Sequence, residues 1–241
     1  VGSEMCIRDR LGTIVKFDLK KNSLSEVNEN LQNYNKKSNN RIFKIINPNG
    51  YHAICAGLKD DIEVNVDGHA GYYFAGMNMN AKITINGNVG TGVAENMMSG
   101  VVHVKGNASQ SAGATAHGGT LIIDGNTSSR CGISMKGVDI IVKGSVGHMS
   151  AFMAQSGNLL ICGDAGEALG DSIYEAKIFI KGKVKSLGAD CEEKKIGNND
   201  KKILKSLLDK AGLNKENIQN FKMYGSARKL YNFNIDNVSE Y

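Results

Sequence analysis

The side chains that could act as nucleophiles, redox groups or metal ligands are scattered along the chain. No C-x-x-C pair and no H-E-x-x-H or H-x-x-E-H arrangement occurs, so a metal site built from sequence neighbours is not expected. The odd number of cysteines favours free thiols in a reducing compartment over a disulfide framework. The residues concerned are Cys6, Cys55, Cys131, Cys162, Cys191, His52, His69, His103, His117 and His148.

Three further patterns resemble reactive motifs. The string Gly170-Asp171-Ser172 is similar to an esterase nucleophile block, but it falls where a repeat described below requires a small residue. Two strings, 87–90 and 163–166, are similar to phosphate loops, but no G-K-[ST] follows either of them. Paired carboxylates could support glycosidase chemistry, but the aligned Asn or Asp rows and exposed aromatics of a polysaccharide-binding solenoid are not expected. The carboxylates concerned are Glu95, Asp164, Glu167, Asp171 and Glu175.

Composition indicates a folded, soluble chain. The 241 residues are 41% hydrophobic and 22% charged, with 29 glycines, one proline and a net charge of +5. No apolar run reaches the roughly 20 residues of a membrane span, so a cytoplasmic location is the default. The excess lysine lies in the flanks without interleaved aromatics, so a nucleic-acid interface is not predicted. Residues 1–10 resemble a non-native adapter-like tail, which leaves the native N-terminus open.

A repeat of nineteen residues dominates the middle of the chain. Its marker is a glycine, and the residues two and four positions earlier are always Val, Ile or Leu. This period-two alternation is typical of a strand with one buried face. The seventh residue after each glycine is Ala or Gly. The marker glycines are Gly68, Gly87, Gly106, Gly125, Gly144, Gly163 and Gly182.

A unit of this length suits one coil of a β-solenoid, because helical-hairpin repeats need 33 residues or more. The sequence therefore predicts an all-β solenoid, a parallel β-helix of seven to eight coils. We expect each marker glycine to supply a positive φ at a corner. The small residue seven positions later is expected to face a narrow interior. Counting back nineteen from Gly68 gives Asn49, with Ala56 seven residues later, as a degenerate first coil.

The flanks are expected to cap the solenoid with short helices. Residues 11–42 are predicted to form a strand and then a helix that begins at the capping box Ser23–Glu26. The solenoid itself is predicted over 43–194. Residues 195–241 are predicted to form a helix that ends before Gly212, followed by an extended tail that packs along the solenoid.

Seven of the nine methionines fall inside the coils, most of them nine to eleven residues after the marker glycine. They could fill the core, or they could form a contact surface for another subunit. Stretches rich in Met, aromatic residues and Arg depart most from the repeat, which is typical of an interface centre. The predicted interface residues are Tyr73, Met77, Glu95, Met97, Met98, Arg130, Met135, His148, Phe152, Met153 and Tyr174.

The G-x-x-G-x-x-x-G/A coil resembles the GXGXG domain, the C-terminal β-helix of the glutamate synthase large subunit. Longer strings, such as GHAGYYFAGMN at 68–78, GSVGHMSAFMAQ at 144–155 and GSARKLYNF at 225–233, are similar to its stand-alone form in N-methylglutamate synthases. The likeness covers about residues 13–241. It departs from the pattern at Ser109, Ser128 and Lys185, which replace the second glycine.

This resemblance implies a right-handed β-helix that serves as a structural subunit, with no catalytic, cofactor-binding or metal-ligating residues of its own. It also implies two partners: a class II amidotransferase-like subunit, and a flavin-binding subunit that carries FMN and an iron–sulfur cluster. The implied reaction transfers methylamine onto the glutamate skeleton and releases ammonia. Two alternatives stay open: a subunit of an ammonia-transferring glutamate synthase, and a free-standing ligand-binding solenoid.

Overall fold

A computed structural model describes residues 14–34 and 41–228. Within these ranges the chain forms eleven strands in one sheet and two α-helices. The predicted tail at residues 1–10 and the last thirteen residues lie outside the described ranges. In chain order the elements are β1 Val15–Asp18, α1 Leu24–Gln32, β2 Ile42–Ile46, β3 Glu63–Asp67, β4 Lys82–Asn86, β5 Val101–Val104, β6 Thr120–Ile123, β7 Lys136–Val142, β8 Ser156–Ile161, β9 Lys177–Ile180, β10 Cys191–Lys194, α2 Asn198–Lys210, a 3₁₀ turn Ile218–Asn220 and β11 Lys222–Ser226.

The strands β1 to β9 lie side by side in sequence order, each parallel to the next. From β3 onward the register advances by nineteen residues, so that Val64 pairs with Ile83 and Ile83 with Val102. A second row of parallel bridges runs two residues after the marker glycines, as between Val89 and Ala108. The predicted all-β solenoid is thereby confirmed, with about seven turns.

The core is one continuous column inside the coils. We number positions in each coil from its marker glycine, which is position 0. Residues at positions −4 and −2 point inward from the strands, and Ile83 and Ile85 are fully buried. Positions 6, 7 and 10 complete the interior, so that Val93, Ala94 and Met97 are also fully buried. The core therefore includes several columns of equivalent side chains stacked coil on coil.

The marker glycines serve close packing rather than a left-handed corner, so the predicted reason for them was wrong. Of the seven, only Gly68 has a positive φ, +126°. A Cβ added at Gly87 would lie 2.1 Å from the carbonyl oxygen of Gly68, and one at Gly182 would lie 2.2 Å from that of Gly163. Stacked coils approach each other so closely at this corner that only hydrogen fits there.

The left-handed conformation occurs instead at positions 5, 7 and 9. In the coil of Gly68 these are Tyr73, Ala75 and Met77, with φ between 55° and 60°. In the coils from Gly68 to Gly163, the residue at position 7 is Ala or Gly for two reasons: it adopts this left-handed conformation, and it is buried. At Gly113 an added Cβ would lie 2.6 Å from Cδ1 of Ile140, which is the narrow interior that the sequence predicted.

The first coil is out of the nineteen-residue register. Ile46 pairs with Asp67, an offset of 21, so counting back nineteen to Asn49 gave the wrong equivalent. Ala75 donates to the carbonyl of Ile54 just as Ala94 donates to that of Phe74. Cys55, not Ala56, is therefore the equivalent of Ala75, and it too is buried with a φ of 60°.

Helix α1 covers the open end of this first coil. Its N-terminus is capped as the sequence predicted, since the Ser23 hydroxyl accepts a hydrogen bond from the Glu26 backbone N–H. Asn28 donates to the Ala53 carbonyl at 2.9 Å and accepts from the Cys55 N–H at 3.0 Å. Gln32 donates to the Ala56 carbonyl at 2.7 Å. These side chains satisfy backbone groups that no further coil is present to pair.

Helix α2 lies against the side of the solenoid, and β11 with β10 extends the sheet beyond β9. The outward position −3 is apolar in the later coils, and α2 and the segment after it cover it there. The predicted helix end is confirmed, because α2 ends at Lys210 with Ala211 as its C-cap before Gly212, which has a φ of 69°. Neither helix in the described ranges is long and apolar enough to cross a membrane. The apolar residues at position −3 that α2 and the following segment cover are Ile122, Ile141, Leu160 and Phe179.

Candidate functional site

The thiols are held protonated by burial. Cys55 and Cys131 are fully buried, and desolvation raises the pKa of Cys131 to about 12 and that of Cys55 further still. The partly buried Cys191 has its pKa raised to about 11, chiefly by desolvation. The pKa of Cys162 is raised for the same main reason. None of these four sites favours the thiolate that a cysteine nucleophile uses.

Three of the histidines make structural contacts. His52 stacks on Tyr72 with ring centroids 4.5 Å apart, and its Nδ1 accepts from the Tyr72 backbone N–H at 2.9 Å. His69 Nδ1 accepts from the Asn88 backbone N–H at 2.9 Å. His103 Nε2 lies 3.0 Å from Asp124 Oδ1. Within residues 14–34 and 41–228, no three His, Cys, Asp or Glu side chains converge to hold a metal ion.

A polar ladder runs along the solenoid at position 1. No aligned row of Asn or Asp was expected from the sequence, and this expectation was wrong. Each side chain accepts a hydrogen bond from the backbone N–H of its equivalent in the next coil, as from Asn126 to Asn107 at 2.8 Å. The signal was visible as three asparagines spaced nineteen apart directly after marker glycines. The accepting side chains are those of His69, Asn88, Asn107, Asn126, Ser145 and Asp164, and the ladder ends at the backbone N–H of Lys183.

The carboxylates considered for acid–base chemistry are engaged separately. Asp164 accepts from the Lys183 N–H within the ladder, at 2.7 Å. Glu167 forms an ion pair with Lys185 at 2.9 Å, and this hydrogen bond lowers the pKa of Glu167. Asp171 accepts from the Ser172 hydroxyl at 2.9 Å. Ser172 sits at the left-handed position 9, so the string that resembled a nucleophile block is part of the ordinary coil.

One charged cluster crosses the outer face of the strands. Asp124 lies 2.8 Å from Lys143 Nζ and 3.6 Å from Lys105 Nζ, in addition to its contact with His103. Partial burial would raise the pKa of Asp124, but hydrogen bonds from Lys143 and His103 outweigh it and hold the pKa below its usual range. The cluster joins three successive coils and stabilises the stack while Asp124 is ionised.

The methionines divide according to their position in the coil. Position 10 points inward in every coil from Gly68 to Gly163, and Met97 and Met135 there are fully buried. Assigning these two residues to a subunit interface was therefore wrong, because each fills the core in line with its neighbours in the stack. Their equivalents in the other coils are Asn78, Ala116, Ala154 and Ile173.

Positions 9 and 11 flank this buried column and point outward. Five large side chains at these positions are substantially exposed, and together we call them the methionine face. They are Met77 (46% exposed), Met79 (39%), Met98 (47%), Met153 (42%) and Tyr174 (43%). Met79 is one of the seven coil methionines considered for a contact surface, and its spacing of nineteen from Met98 places it on this face.

The remaining predicted interface residues lie at positions 4, 5 and 8 of their coils. Arg130 and His148 are exposed on successive coils, where the Arg130 backbone N–H donates to the His148 carbonyl at 3.0 Å. Tyr73, Glu95 and Phe152 are half-buried. The structure therefore places nine of the eleven predicted residues at least partly on the surface, and only Met97 and Met135 inside.

One comparison with known proteins is informative. The chain is 55% identical over 225 residues to the protein GlxC of Rhizobium meliloti (strain 1021), and the match covers 93% of this chain and 99% of that protein. No family model matches the chain.

Proposed function

The chain belongs to the same family as the GlxC protein of Rhizobium meliloti, and on that premise we propose that it is a structural β-helix subunit of a multi-subunit enzyme of the glutamate synthase type. The sequence strings that resemble the GXGXG domain support this assignment, and the solenoid fold agrees with it. In this proposal the reactive groups belong to other subunits. The chain holds those subunits at a fixed spacing along a rigid stack.

The observation that carries the proposal is the methionine face. Unbranched, polarisable methionine side chains adapt to a partner surface. Clusters of exposed apolar side chains mark sites of protein–protein interaction. Met79 and Met98 occupy the same position in adjacent coils, about 4.8 Å apart, with Met77 two residues from Met79. Two coils separate Met98 from Met153, and their positions 9 and 11 carry Thr115, His117, Ser134 and Lys136. The methionine face therefore consists of an N-terminal patch of Met77, Met79 and Met98 and a C-terminal patch of Met153 and Tyr174.

We propose that the methionine face docks a flavin-binding subunit that carries FMN and an iron–sulfur cluster. A class II amidotransferase-like subunit completes the assembly. The proposed reaction of the complex transfers methylamine onto glutamate to give N-methylglutamate and ammonia. The alternative is an ammonia-transferring glutamate synthase reaction, which uses glutamine, 2-oxoglutarate and a reductant. The same structural subunit would serve in that enzyme.

Co-purification tests the assembly. The tagged chain is co-expressed with a candidate flavin-binding subunit of the glutamate synthase type, and the flavin absorbance that elutes with the tag is measured. We expect Met98→Asp to reduce the co-eluting flavin several-fold while the variant itself stays folded. The matched control is Asn199→Asp, which adds the same charge on the exposed first turn of α2, where an acidic residue is favourable. Equal flavin recovery for the two variants would show that the subunits dock elsewhere.

The substrate is settled by turnover of the assembled complex. One reaction mixture contains methylamine and glutamate, and the other contains glutamine, 2-oxoglutarate and a reductant. Formation of N-methylglutamate in the first supports the proposed reaction, and formation of glutamate in the second alone supports the alternative. The isolated chain is expected to be colourless and inactive in both mixtures.

A further inference from the structure

The N-terminal patch of the methionine face brings three thioether side chains together on two adjacent coils. Met77, Met79 and Met98 are all substantially exposed. The Met98 backbone N–H donates at 2.8 Å to the carbonyl of Asn78, which lies between Met77 and Met79 in the chain. Stacked coils are about 4.8 Å apart, so the three side chains share one small surface that dissolved oxidants can reach.

An exposed thioether is open to oxidation by a hydroperoxide. A lone pair of the sulfur attacks the terminal peroxide oxygen, and an S–O bond forms as the O–O bond breaks. The proton of the transferred oxygen passes to the leaving oxygen, which departs as water or as an alcohol. The sulfur loses two electrons and the peroxide gains them. The product is methionine sulfoxide, which is polar where the thioether was apolar.

Other sulfur groups of the solenoid are shielded from this reaction. Met97 and Met135 are fully buried in the core. Cys55 and Cys131 are fully buried too, and burial raises the pKa of both thiols, so that they stay protonated. A protonated thiol reacts slowly with peroxide, because the thiolate is the nucleophile. A mild oxidant therefore reaches the N-terminal patch before it reaches these core residues.

Oxidation of the patch has opposite consequences for folding and for docking. The three side chains point outward, so a sulfoxide oxygen there remains hydrated and the solenoid keeps its core. An apolar partner surface would strip that water from the sulfoxide oxygens without offering them hydrogen bonds, which is unfavourable. The fold should therefore tolerate oxidation, whereas docking should not.

We propose that the N-terminal patch is a reversible methionine oxidation site that switches docking of the flavin-binding subunit off. The thioether form binds the partner and the sulfoxide form does not. Methionine sulfoxide reductases restore the apolar surface, in a reaction that oxidises a dithiol to a disulfide and releases the oxygen as water. This inference rests on the proposed function, because it concerns the surface at which that subunit is proposed to bind.

Oxidation of the purified full chain, before any partner is added, tests the proposal. The chain is treated with hydrogen peroxide, the peroxide is removed with catalase, and oxidation of each methionine is followed over time by mass spectrometry. We expect Met77, Met79 and Met98 to oxidise several-fold faster than Met97 and Met135. The oxidised chain is then mixed with the candidate flavin-binding subunit. The flavin absorbance that elutes with the tag should fall several-fold below that of the untreated chain.

Two variants separate the patch from other oxidation sites. A chain with Met77→Leu, Met79→Leu and Met98→Leu keeps an apolar surface without thioethers, so peroxide should leave its flavin recovery unchanged. Met153→Leu, in the C-terminal patch, should stay as sensitive to peroxide as the parent chain.

Two further measurements exclude damage to the fold. Methionine sulfoxide reductases with dithiothreitol should restore flavin recovery to the oxidised parent. The treated and untreated parent chains should unfold at the same urea concentration.

Three results would overturn the proposal. The first is oxidation of Met77, Met79 and Met98 as slow as that of the buried Met97. The second is unchanged flavin recovery after the patch has been oxidised. The third is an equal loss of flavin recovery in the triple leucine variant, because the sensitive group would then lie elsewhere. Failure of the proposed function gives a different result, since the untreated chain would then retain no flavin, and the switch would fail with it.

Discussion

Met97 and Met98 are adjacent in the chain, yet the first is fully buried and the second is 47% exposed. The difference follows from the alternation of the coil, in which position 10 points into the stack and position 11 points away from it. Met97 packs in line with Asn78 of the preceding coil, which is buried as well and bonds to the backbone of Ala81 and Ser99.

We expect Met97→Ala to lower the free energy of unfolding by about 2–5 kcal/mol, since it leaves a cavity in the core. Met98→Ala should change it by less than about 0.5 kcal/mol, because the side chain is already exposed to water. Urea unfolding followed by circular dichroism measures both values. Equal costs at the two positions would contradict the assignment of position 10 to the core and of position 11 to the surface.

Close packing at the marker glycines gives a second prediction. Gly87→Ala should destabilise the solenoid by about 3 kcal/mol, because the new methyl group would lie 2.1 Å from the Gly68 carbonyl oxygen. Gly212→Ala is the control, because it lies in open space and its strain comes from a φ of 69° alone. Its cost should be about 1 kcal/mol. If the two changes cost the same in urea unfolding, the close approach of the coils would not be the reason for the marker glycine.

The sequence predicted the fold because a solenoid repeats its packing environment at a fixed interval. The same periodicity also indicates where α2 packs. Position −3 is polar in the first coils and apolar from Ile122 to Phe179, and α2 packs against that apolar part of the sheet.

Other features were not determined by the repeat. A glycine fits a corner with positive φ and a point of close approach equally well, so the repeat did not distinguish these two reasons. The register of the first coil depends on how the chain passes from Ile46 through Pro48 to the next strand, where no earlier coil fixes the interval. Whether a methionine points inward or outward depends on which positions of the coil face the core. The spacing of the methionines alone does not show this.

The polar ladder predicts a graded response at Asn107. Asn107→Ala removes the acceptor for the Asn126 N–H and should cost about 1 kcal/mol. Asn107→Asp retains an oxygen in the same place, as Asp164 does for the Lys183 N–H, and should cost less than the alanine change. Urea unfolding gives the free energies, and hydrogen exchange of the Asn126 amide reports the local bond. Equal protection of this amide in the parent and in Asn107→Ala would contradict the role of the ladder.

Stability should depend on pH through Asp124. Its pKa is lower in the folded chain than in the unfolded chain, because hydrogen bonds from Lys143 and His103 outweigh the opposing effect of partial burial. The contribution is therefore present above the unfolded pKa and is lost as the pH falls through the folded pKa, between about pH 5 and pH 2. Lys105 also faces this carboxylate.

The measurement compares the parent chain with Asp124→Asn across that range. We expect the parent to be more stable at pH 6 and the difference to shrink as the pH falls. Asp209→Asn, on the exposed side of α2, serves as the control for removal of a carboxylate. A difference between the parent and Asp124→Asn that stays constant from pH 6 to about pH 2 would contradict the role assigned to the ionised carboxylate.

Thr127 is a polar residue at an apolar position of the stack. The equivalent residues in the neighbouring coils are Ala108 and Val146, and all three are buried. Among residues 14–34 and 41–228, the Thr127 hydroxyl has no hydrogen-bond partner at ordinary distances, although the Cys131 thiol, a weak hydrogen-bonding group, lies close to it. A buried hydroxyl without a partner costs about 1–3 kcal/mol, and a side chain of the same shape without the oxygen avoids that cost.

Thr127→Val should therefore raise the free energy of unfolding by about 1 kcal/mol, because a methyl group replaces the hydroxyl in the same space. The reverse change, Val89→Thr, introduces the same hydroxyl at the equivalent position two coils earlier and should lower stability by about 1–3 kcal/mol. Urea unfolding of the two variants and the parent under one buffer measures both shifts. A loss of stability in Thr127→Val would show instead that the contact between the Thr127 hydroxyl and the Cys131 thiol is a stabilising hydrogen bond.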